Sequence, residues 1–387
     1  MKDFSYSHPT KIIFGAGKIS ELGKLTKEYG CRCLLVTNPK KPALEPLYSK
    51  ARTLLEAEGI AVGCFHGVIP NPTTHSVAEG AKAAKAFQAD VLVPIGGGSS
   101  IDTAKAIAVE ATHNGSAWDY LFFKGNPVKD PLPVVAITTT SGSGANLTCV
   151  GVISNPEEKC KSALADPSLY PRATIVDPEL MTTLPAHITA STGFDAFCHA
   201  FESYISIHSS PYADVLALEA IRLIVKYMPR VLKNGDDQEA REAMALADTF
   251  AGLCISNVGV ALPHGIGMTI GGYYPNVMHG EALAIVYPEF TRFTYNSAVE
   301  RFASVARIFD RRAETDSDED AAYKLCCFID QFLKETGMWL NLKGFGVAES
   351  DVEKIARDTF VLPDYANNPR VPTEQEVLTM LKASYAR

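Results

Sequence analysis

The sequence predicts an α/β N-terminal domain built on a parallel sheet, followed by an all-α C-terminal domain. Three observations predict it. Short apolar runs alternate with helical spacing through the first half. Those runs are apolar on both faces, as strands are when helices cover each side. After about residue 183 only helical spacing remains. At 387 residues the chain is also too long for one compact core. The boundary is expected near Met181–His187, where Pro185 interrupts regular structure, giving domains over 1–183 and 184–387.

The first half reads in order. The run 33–38 (CLLVTN) ends in turn residues and predicts a strand; 47–59 (LYSKARTLLEAEG) predicts a helix with a glycine stop. A strand follows over 60–68, a helix over 75–89 and a continuous apolar strand over 90–95. Three glycines then lead into a helix over 101–111, and 132–138 (LPVVAIT) is another buried strand. FGAGKISELG (14–23) reads as a turn near the start. In the second half, helical spacing marks 188–206, 213–232, 238–256, 300–309, 319–336, 349–360 and 373–386.

Composition narrows the function classes. A hydrophobic content of 47% with 21% charged residues fits a globular protein. The net charge is −8, and no basic tract supplies the footprint that nucleic-acid backbones require. The opening residues lack the apolar core of a signal peptide, and no apolar run reaches the length of a bilayer span. No membrane partner is therefore expected. The cysteines number nine and their spacing matches neither a disulfide framework nor a thiolate zinc site. Buried reduced thiols in a cytoplasmic protein are the expectation.

Two loops point to a phosphate-bearing ligand. Gly96, Gly97 and Gly98 follow the 90–95 strand and open a helix. Without Cβ atoms they let a ligand approach the backbone, and the helix start offers free N–H groups to a pyrophosphate. Ser99 and Asp102 have capping-box spacing. The second loop, TTTSGSGAN (138–146), gathers hydroxyls at the end of the next strand, the edge where ligands sit in open α/β sheets.

A third feature is polar within apolar surroundings. Asp195 and His199 in STGFDAFCHAFESYIS (191–206) are four residues apart, so they share one helix face. They can hydrogen-bond each other or grip one divalent ion. His264 and His279 each precede a glycine in an apolar neighbourhood. Three histidines and one aspartate suit Fe²⁺ or Zn²⁺ and leave a position open for substrate. His8, His66, His75, His113, His187 and His208 lack this context and read as surface or capping residues.

Taken together, GGGSSIDTAK (96–105), TTTSGSG (138–144), TGFDAFCHAFE (192–202), the two His-Gly pairs, VIPNPTTHSV (68–77) and the ending 356–377 resemble the iron-containing, or group III, alcohol dehydrogenase family. The likeness covers nearly the whole chain. It implies a Rossmann-like nucleotide domain and a helical metal domain, the architecture of dehydroquinate synthase-like and iron-containing alcohol dehydrogenase proteins. It implies four metal ligands that act in catalysis through the ion: Asp195, His199, His264 and His279. It further implies that Gly97, Gly98 and Ser99 cradle the pyrophosphate, with Asp102 after that loop. Thr139, Thr140 and Ser143 line the nicotinamide side, and Asn71 and Lys161 meet the cofactor's sugars. The implied reaction is hydride transfer between NAD(P)(H) and a small alcohol/aldehyde pair, with Fe²⁺ as the metal and Zn²⁺ as the alternative. A homodimer or higher homo-oligomer is the implied assembly. A glycerol dehydrogenase-like or maleylacetate reductase-like enzyme, or a metal-dependent enzyme without redox chemistry, are the competing readings.

Departures from the family pattern refine this. Asn38 stands where NAD-preferring relatives carry Asp, so no carboxylate repels a 2′-phosphate, and Lys40 and Lys41 are nearby. NADP is therefore expected to be at least tolerated. Met268 replaces a histidine that many members place near the nicotinamide, and methionine cannot relay a proton. Asn146 and Val150 replace a usual Glu and an Asn. These changes shift the expected substrate from simple alkanols toward a short-chain aldehyde with an anionic tail.

Overall fold

The computed structural model describes residues 3–39 and 42–387. The chain forms two compact units, His8–Thr183 and Leu184–Arg387, the second joined by the segment before His8.

The strands of the first unit are β1 (Lys11–Phe14), β2 (Arg32–Thr37), β3 (Ala61–Phe65), β4 (Val91–Gly96), β5 (Val135–Thr138), β6 (Val150–Asn155), β7 (Cys160–Ala165) and β8 (Ala173–Val176). Its helices are α1 (Leu22–Lys27), α2 (Glu45–Ala57), α3 (Thr74–Phe87) and α4 (Gly98–Thr112). Six strands make one parallel sheet in the order β1-β8-β5-β4-β2-β3. The inner strands are buried along nearly their whole length, which explains their unbroken apolar sequences. Alternate residues of β2 serve different cores. Leu34 and Val36 pack with Val77 of α3 and Ile107 of α4. Cys33 and Leu35 pack with Leu22 of α1 and Leu55 of α2. The chain leaves β2 toward β3 on one side and returns to β4 on the other, so the sheet's topological switch point lies between β2 and β4.

The sequence reading passed over β1, β8 and the antiparallel pair β6–β7. The run 14–23, read as a turn, continues into a short 3₁₀ turn and α1. The capping box expected from Ser99 and Asp102 is not made: α4 begins two residues earlier than that cap requires, Gly97 occupies the cap position, and no side chain caps it. Ser99 is inside the helix, where its carbonyl accepts from the Thr103 hydroxyl at 2.6 Å.

The second unit is helical throughout its described residues: α5 (Ala186–Ile205), α6 (Pro211–Lys233), α7 (Gln238–Val258), α8 (Leu262–Tyr273), α9 (His279–Thr294), α10 (Val299–Phe309), α11 (Asp318–Glu335), α12 (Val352–Asp358) and α13 (Glu374–Ala383). Pro185 does not break a helix; it occupies the cap of α5, where its fixed φ prepares the first turn. Neither α8 nor α9 was expected, because glycines at 265, 267, 271 and 272 lower helix propensity, and packing against neighbours overrides it. One face of α5 carries Phe194, Phe197 and Phe201, stacked at 5.7 and 5.8 Å between successive centroids and packed against Tyr287 of α9. Burial of each such ring stabilises the unit by roughly 1.5–3 kcal/mol.

The described cysteines are free thiols, but only Cys33, Cys198, Cys254 and Cys326 are buried; Cys31 and Cys327 are exposed. The expectation of uniformly buried thiols is corrected to that extent. Among the described residues no single helix is long and apolar enough to cross a membrane.

Candidate metal centre and nucleotide loops

On α5 another face than that of the phenylalanines is polar. Asp195, His199 and Glu202 follow at intervals of four and three residues, and all three are buried. Helix α8 brings His264 and α9 begins with His279. The close approach of α9 depends on Gly280, where a Cβ would fall on the Ser191 carbonyl of α5. A Cβ at Gly265, by contrast, would meet only ordinary contacts.

Asp195 Oδ1 lies 3.7 Å from His199 Nε2, 3.7 Å from His264 Nε2 and 3.9 Å from His279 Nε2. These separations are too long for hydrogen bonds. They are close to the ligand-to-ligand spacing of a tetrahedral site, about 3.4 Å for bonds of about 2.1 Å. The ligand atoms of Asp195, His199 and His264 all lie within 4.8 Å of one another. Asp195 Oδ1 and His264 Nε2 are buried without a hydrogen-bond partner, a costly state that a cation between them relieves. Three imidazole nitrogens and one carboxylate fit Fe²⁺ or Zn²⁺.

Glu202 was not singled out from sequence, where it reads as an ordinary helical charge. It is fully buried, and its Oε2 accepts from the Ala261 backbone N–H at 2.8 Å and from His264 Nδ1 at 2.9 Å. A carboxylate has no proton to give, so Nδ1 carries the hydrogen and Nε2 is left to face the metal position. Burial alone would lower the His264 pKa, but the charges of Glu202 and Asp195 push it up to about 10. Burial likewise raises Asp195, and the imidazoles of His199, His279 and His264 more than offset it, holding it at about 2. Asp364, on the turn Pro363–Asn367, was also missed. Its Cβ comes within 4.0 Å of a Cβ placed on Gly265. Burial pushes its carboxyl up to about 6, partly countered by His264.

Of the nucleotide residues named from sequence, Asn38, Gly97, Gly98, Ser99, Thr139, Thr140 and Ser143 follow the carboxyl ends of β2, β4 and β5, whereas Asn71 follows β3, Asp102 lies within α4 and Lys161 on β7. Asn38 follows β2, and its Oδ1 accepts from Ser100 Oγ at 3.4 Å. Gly97 and Gly98 lie so close to the second loop that Cβ atoms there would come 2.9 Å from Thr140 Oγ1 and 2.8 Å from Ser143. Thr139 N donates to the Gly96 carbonyl at 3.0 Å. The uncapped start of α4 keeps its first N–H groups available. Asn71 adopts a left-handed φ of 52° and accepts from Lys161 Nζ at 2.8 Å, joining two residues remote in sequence. Asp102 sits on α4, where burial pushes its carboxyl up against the opposing pull of Lys105 and Lys161. Lys40 and Lys41 lie outside the described residues.

Comparison with known proteins agrees with both halves. The family model for iron-containing alcohol dehydrogenase matches residues 9–178, and that for the C-terminal part of the Fe-containing alcohol dehydrogenase family matches 189–385. The chain belongs to the iron-containing alcohol dehydrogenase family. Among curated members it is 36% identical to the NAD-dependent methanol dehydrogenase of Bacillus methanolicus, over 97% of this chain and 98% of that one. It is 33% identical to the 1,3-propanediol dehydrogenase of Klebsiella pneumoniae over 99% of both chains. The structure of ADH/D1, an archaeal halo-thermophilic alcohol dehydrogenase from a Red Sea brine pool, superposes with a TM-score of 0.94. It is 32% identical, and the match covers 99% of this chain and 100% of that one. As a member of the iron-containing alcohol dehydrogenase family, the chain is a metal-dependent, NAD(P)(H)-linked oxidoreductase acting on alcohol and aldehyde substrates. It has a buried Asp/His metal-binding site and an NAD(P)-binding fold.

Proposed function

We propose that this chain interconverts small uncharged aldehydes and their alcohols, with Asp195, His199, His264 and His279 holding Fe²⁺ and NADP accepted beside NAD. The observation that carries the reading is the convergence of three Nε2 atoms within 3.9 Å of Asp195 Oδ1. Held by those four side chains, a divalent ion would supply Lewis-acid polarisation of the alcohol or aldehyde oxygen, and a bound nicotinamide would supply the hydride chemistry. Glu202 keeps the His264 ring oriented with its hydrogen on Nδ1, so that Nε2 is the nitrogen that faces the ion.

In the first unit, Gly97, Gly98 and Ser99 offer backbone N–H groups to the pyrophosphate, with Asp102 one turn further along α4. Thr139, Thr140 and Ser143 supply hydroxyls on the nicotinamide side, and Asn71 with Lys161 meets the sugars. Asn38 accepts from ribose hydroxyls without repelling a 2′-phosphate. Residues 1–183 thus serve as the nucleotide domain and 184–387 as the metal domain. Met268, buried one turn after His264, cannot carry a proton, so proton release from an alcohol would have to use water and the hydroxyls of a bound cofactor's ribose. The reading of free thiols favours a cytoplasmic protein, and the family resemblance favours a homodimer or higher homo-oligomer.

We prefer uncharged substrates to the anionic tail expected from sequence because of the charges around His264. The charged partners that bear on His264 are Glu202, Asp195 and Asp364, all acidic. A carboxylate or sulfonate tail finds no counter-charge among them. The test is an aldehyde panel, uncharged and ω-carboxylated at matched chain length, run with NADH and NADPH on iron-loaded enzyme. Faster turnover of the charged series would overturn the substrate reading. An NAD preference above roughly a hundredfold in kcat/KM would overturn NADP tolerance.

A further inference from the structure

Lys105 is a fully buried lysine on α4. Its Nζ donates to the carbonyls of Ala145 at 2.7 Å, Thr148 at 2.7 Å and Val150 at 2.6 Å. An ammonium has three N–H donors, and all three find carbonyls within one six-residue stretch, 145–150. That stretch joins the hydroxyl loop 138–144 to β6. The side chain runs beneath it: a Cβ on Gly151 would meet Lys105 Cβ at 3.1 Å and Cδ at 3.5 Å. Two turns earlier on the same helix, Gly97 and Gly98 abut Thr140 and Ser143 at the other end of the loop. The loop is therefore held to α4 at both ends, by close backbone approach at one and by a buried charge at the other.

We propose that Lys105 is a positioning residue for the nucleotide, fixing the hydroxyl loop against the start of α4 and so setting the shape of the pyrophosphate and nicotinamide site. The proposal rests on the nucleotide reading above. A loop cannot satisfy its own carbonyls as a helix or sheet does, and the buried carbonyls of Ala145 and Thr148, with the half-buried one of Val150 at the start of β6, would be costly to leave without donors. A charge-assisted donor satisfies all of them from one point. Its reach is the whole segment, so its loss releases the hydroxyls of Thr140 and Ser143 even though Lys105 touches neither.

The experiment uses full-length, iron-loaded enzyme and NADH as the probe, with binding followed by fluorescence. Lys105→Met keeps the length and apolar stem but removes the donors. It is expected to weaken NADH binding about tenfold or more, the effect of losing charge-assisted hydrogen bonds that hold the site. Bound iron stays at the wild-type level, because the four residues assigned to it lie in the other unit. Leu55→Ala, at a buried α2 position on the opposite face of the sheet, is the stability control. It lowers the thermal midpoint with the NADH Kd staying within about twofold, since α2 packs against the other sheet face. Gly151→Ala crowds the lysine stem without removing its charge and is expected to weaken NADH about threefold. An NADH Kd within about twofold of wild type in Lys105→Met overturns the proposal, as does an equal weakening in Leu55→Ala. If Lys105→Met does not fold, an unchanged Kd in Gly151→Ala overturns it instead. Failure of the wild-type enzyme to bind NADH or NADPH overturns the nucleotide reading itself, and is told apart because it needs no variant.

Discussion

Replacing Glu202 by Gln removes one charge from the site and almost nothing else. The carboxylate is fully buried and holds two donors on one oxygen, Ala261 N–H at 2.8 Å and His264 Nδ1–H at 2.9 Å. Glutamine has the same shape, and its carbonyl oxygen can take both donors. What changes is the strength of the bond to His264. A hydrogen bond to a charged partner contributes about 1.5–3 kcal/mol, against about 1 kcal/mol for a neutral one. The difference, about 0.5–2 kcal/mol, corresponds to roughly two- to thirtyfold weaker metal binding, its upper part overlapping the ten- to hundredfold range for such supporting groups. The assay is competition of metal-free enzyme against a chelator of known affinity, under anaerobic conditions for Fe²⁺. Turnover at saturating metal should fall less than affinity does, because Glu202 acts through His264 and not on substrate. Metal affinity within about twofold of wild type would refute the reasoning.

Three further outcomes follow from the same geometry. Gly280→Ala places a Cβ on the Ser191 carbonyl, so stability should fall by about 1–3 kcal/mol and bound metal with it; a variant matching wild type in thermal midpoint and metal content would contradict this. Asn38→Asp should lower kcat/KM for NADPH about tenfold or more while sparing NADH, because a carboxylate would face the 2′-phosphate; equal loss with both cofactors would count against it. In metal-free enzyme His264 is held at about 10 against an ordinary 6.5. The stability this proton contributes is present below about 6.5 and lost as pH rises through about 10. The ion must displace that proton, so binding at neutral pH should release about one proton and tighten as pH rises; calorimetry in two buffers of different ionisation enthalpy reads the number, and zero would refute it.

Much of the sheet was legible because β2, β4 and β5 are covered on both sides, and burial on both faces leaves a continuous apolar run. Strand β1 is a partly exposed edge strand opening on Lys11, and β8 is a short ATIV run between Arg172 and Asp177 with Thr174 inside it, so neither extends into a continuous apolar run as β5 does in LPVVAIT. Helices α8 and α9 were hidden by their glycines and by Pro288, residues that weaken propensity while allowing close packing. Asp195 and His199 could be found because polar residues in an apolar helix are conspicuous. Glu202, three residues further on, could not, since a lone glutamate on a helix usually faces water. Its burial depends on Ala261 and His264 arriving from about sixty residues away, with separations of 59 and 62. Lys105 was hidden for the same reason: a lysine in a helix says nothing of three carbonyls that lie forty or more residues downstream, at separations of 40, 43 and 45.

The two units hold their functional groups by different physical means. Metal-site residues on α5 are backed by the large helical core, with Phe194, Phe197 and Phe201 packed on another face of the same helix. Close packing transmits little slack, so Asp195 and His199 are placed by the aromatic stack as much as by each other. Most of the residues proposed for the nucleotide sit on loops at strand ends, where only a small apolar cluster, Ile101, Ala136 and Ala145, lies beneath them and the backbone must satisfy its own polar groups. Rigidity in that setting has to come from hydrogen bonds. One buried ammonium spanning 145–150, together with glycines that admit neighbouring side chains at van der Waals distance, does for the loops what the aromatic stack does for the helix. Truncating a core phenylalanine should therefore disturb metal before nucleotide, and losing the lysine should disturb nucleotide before metal.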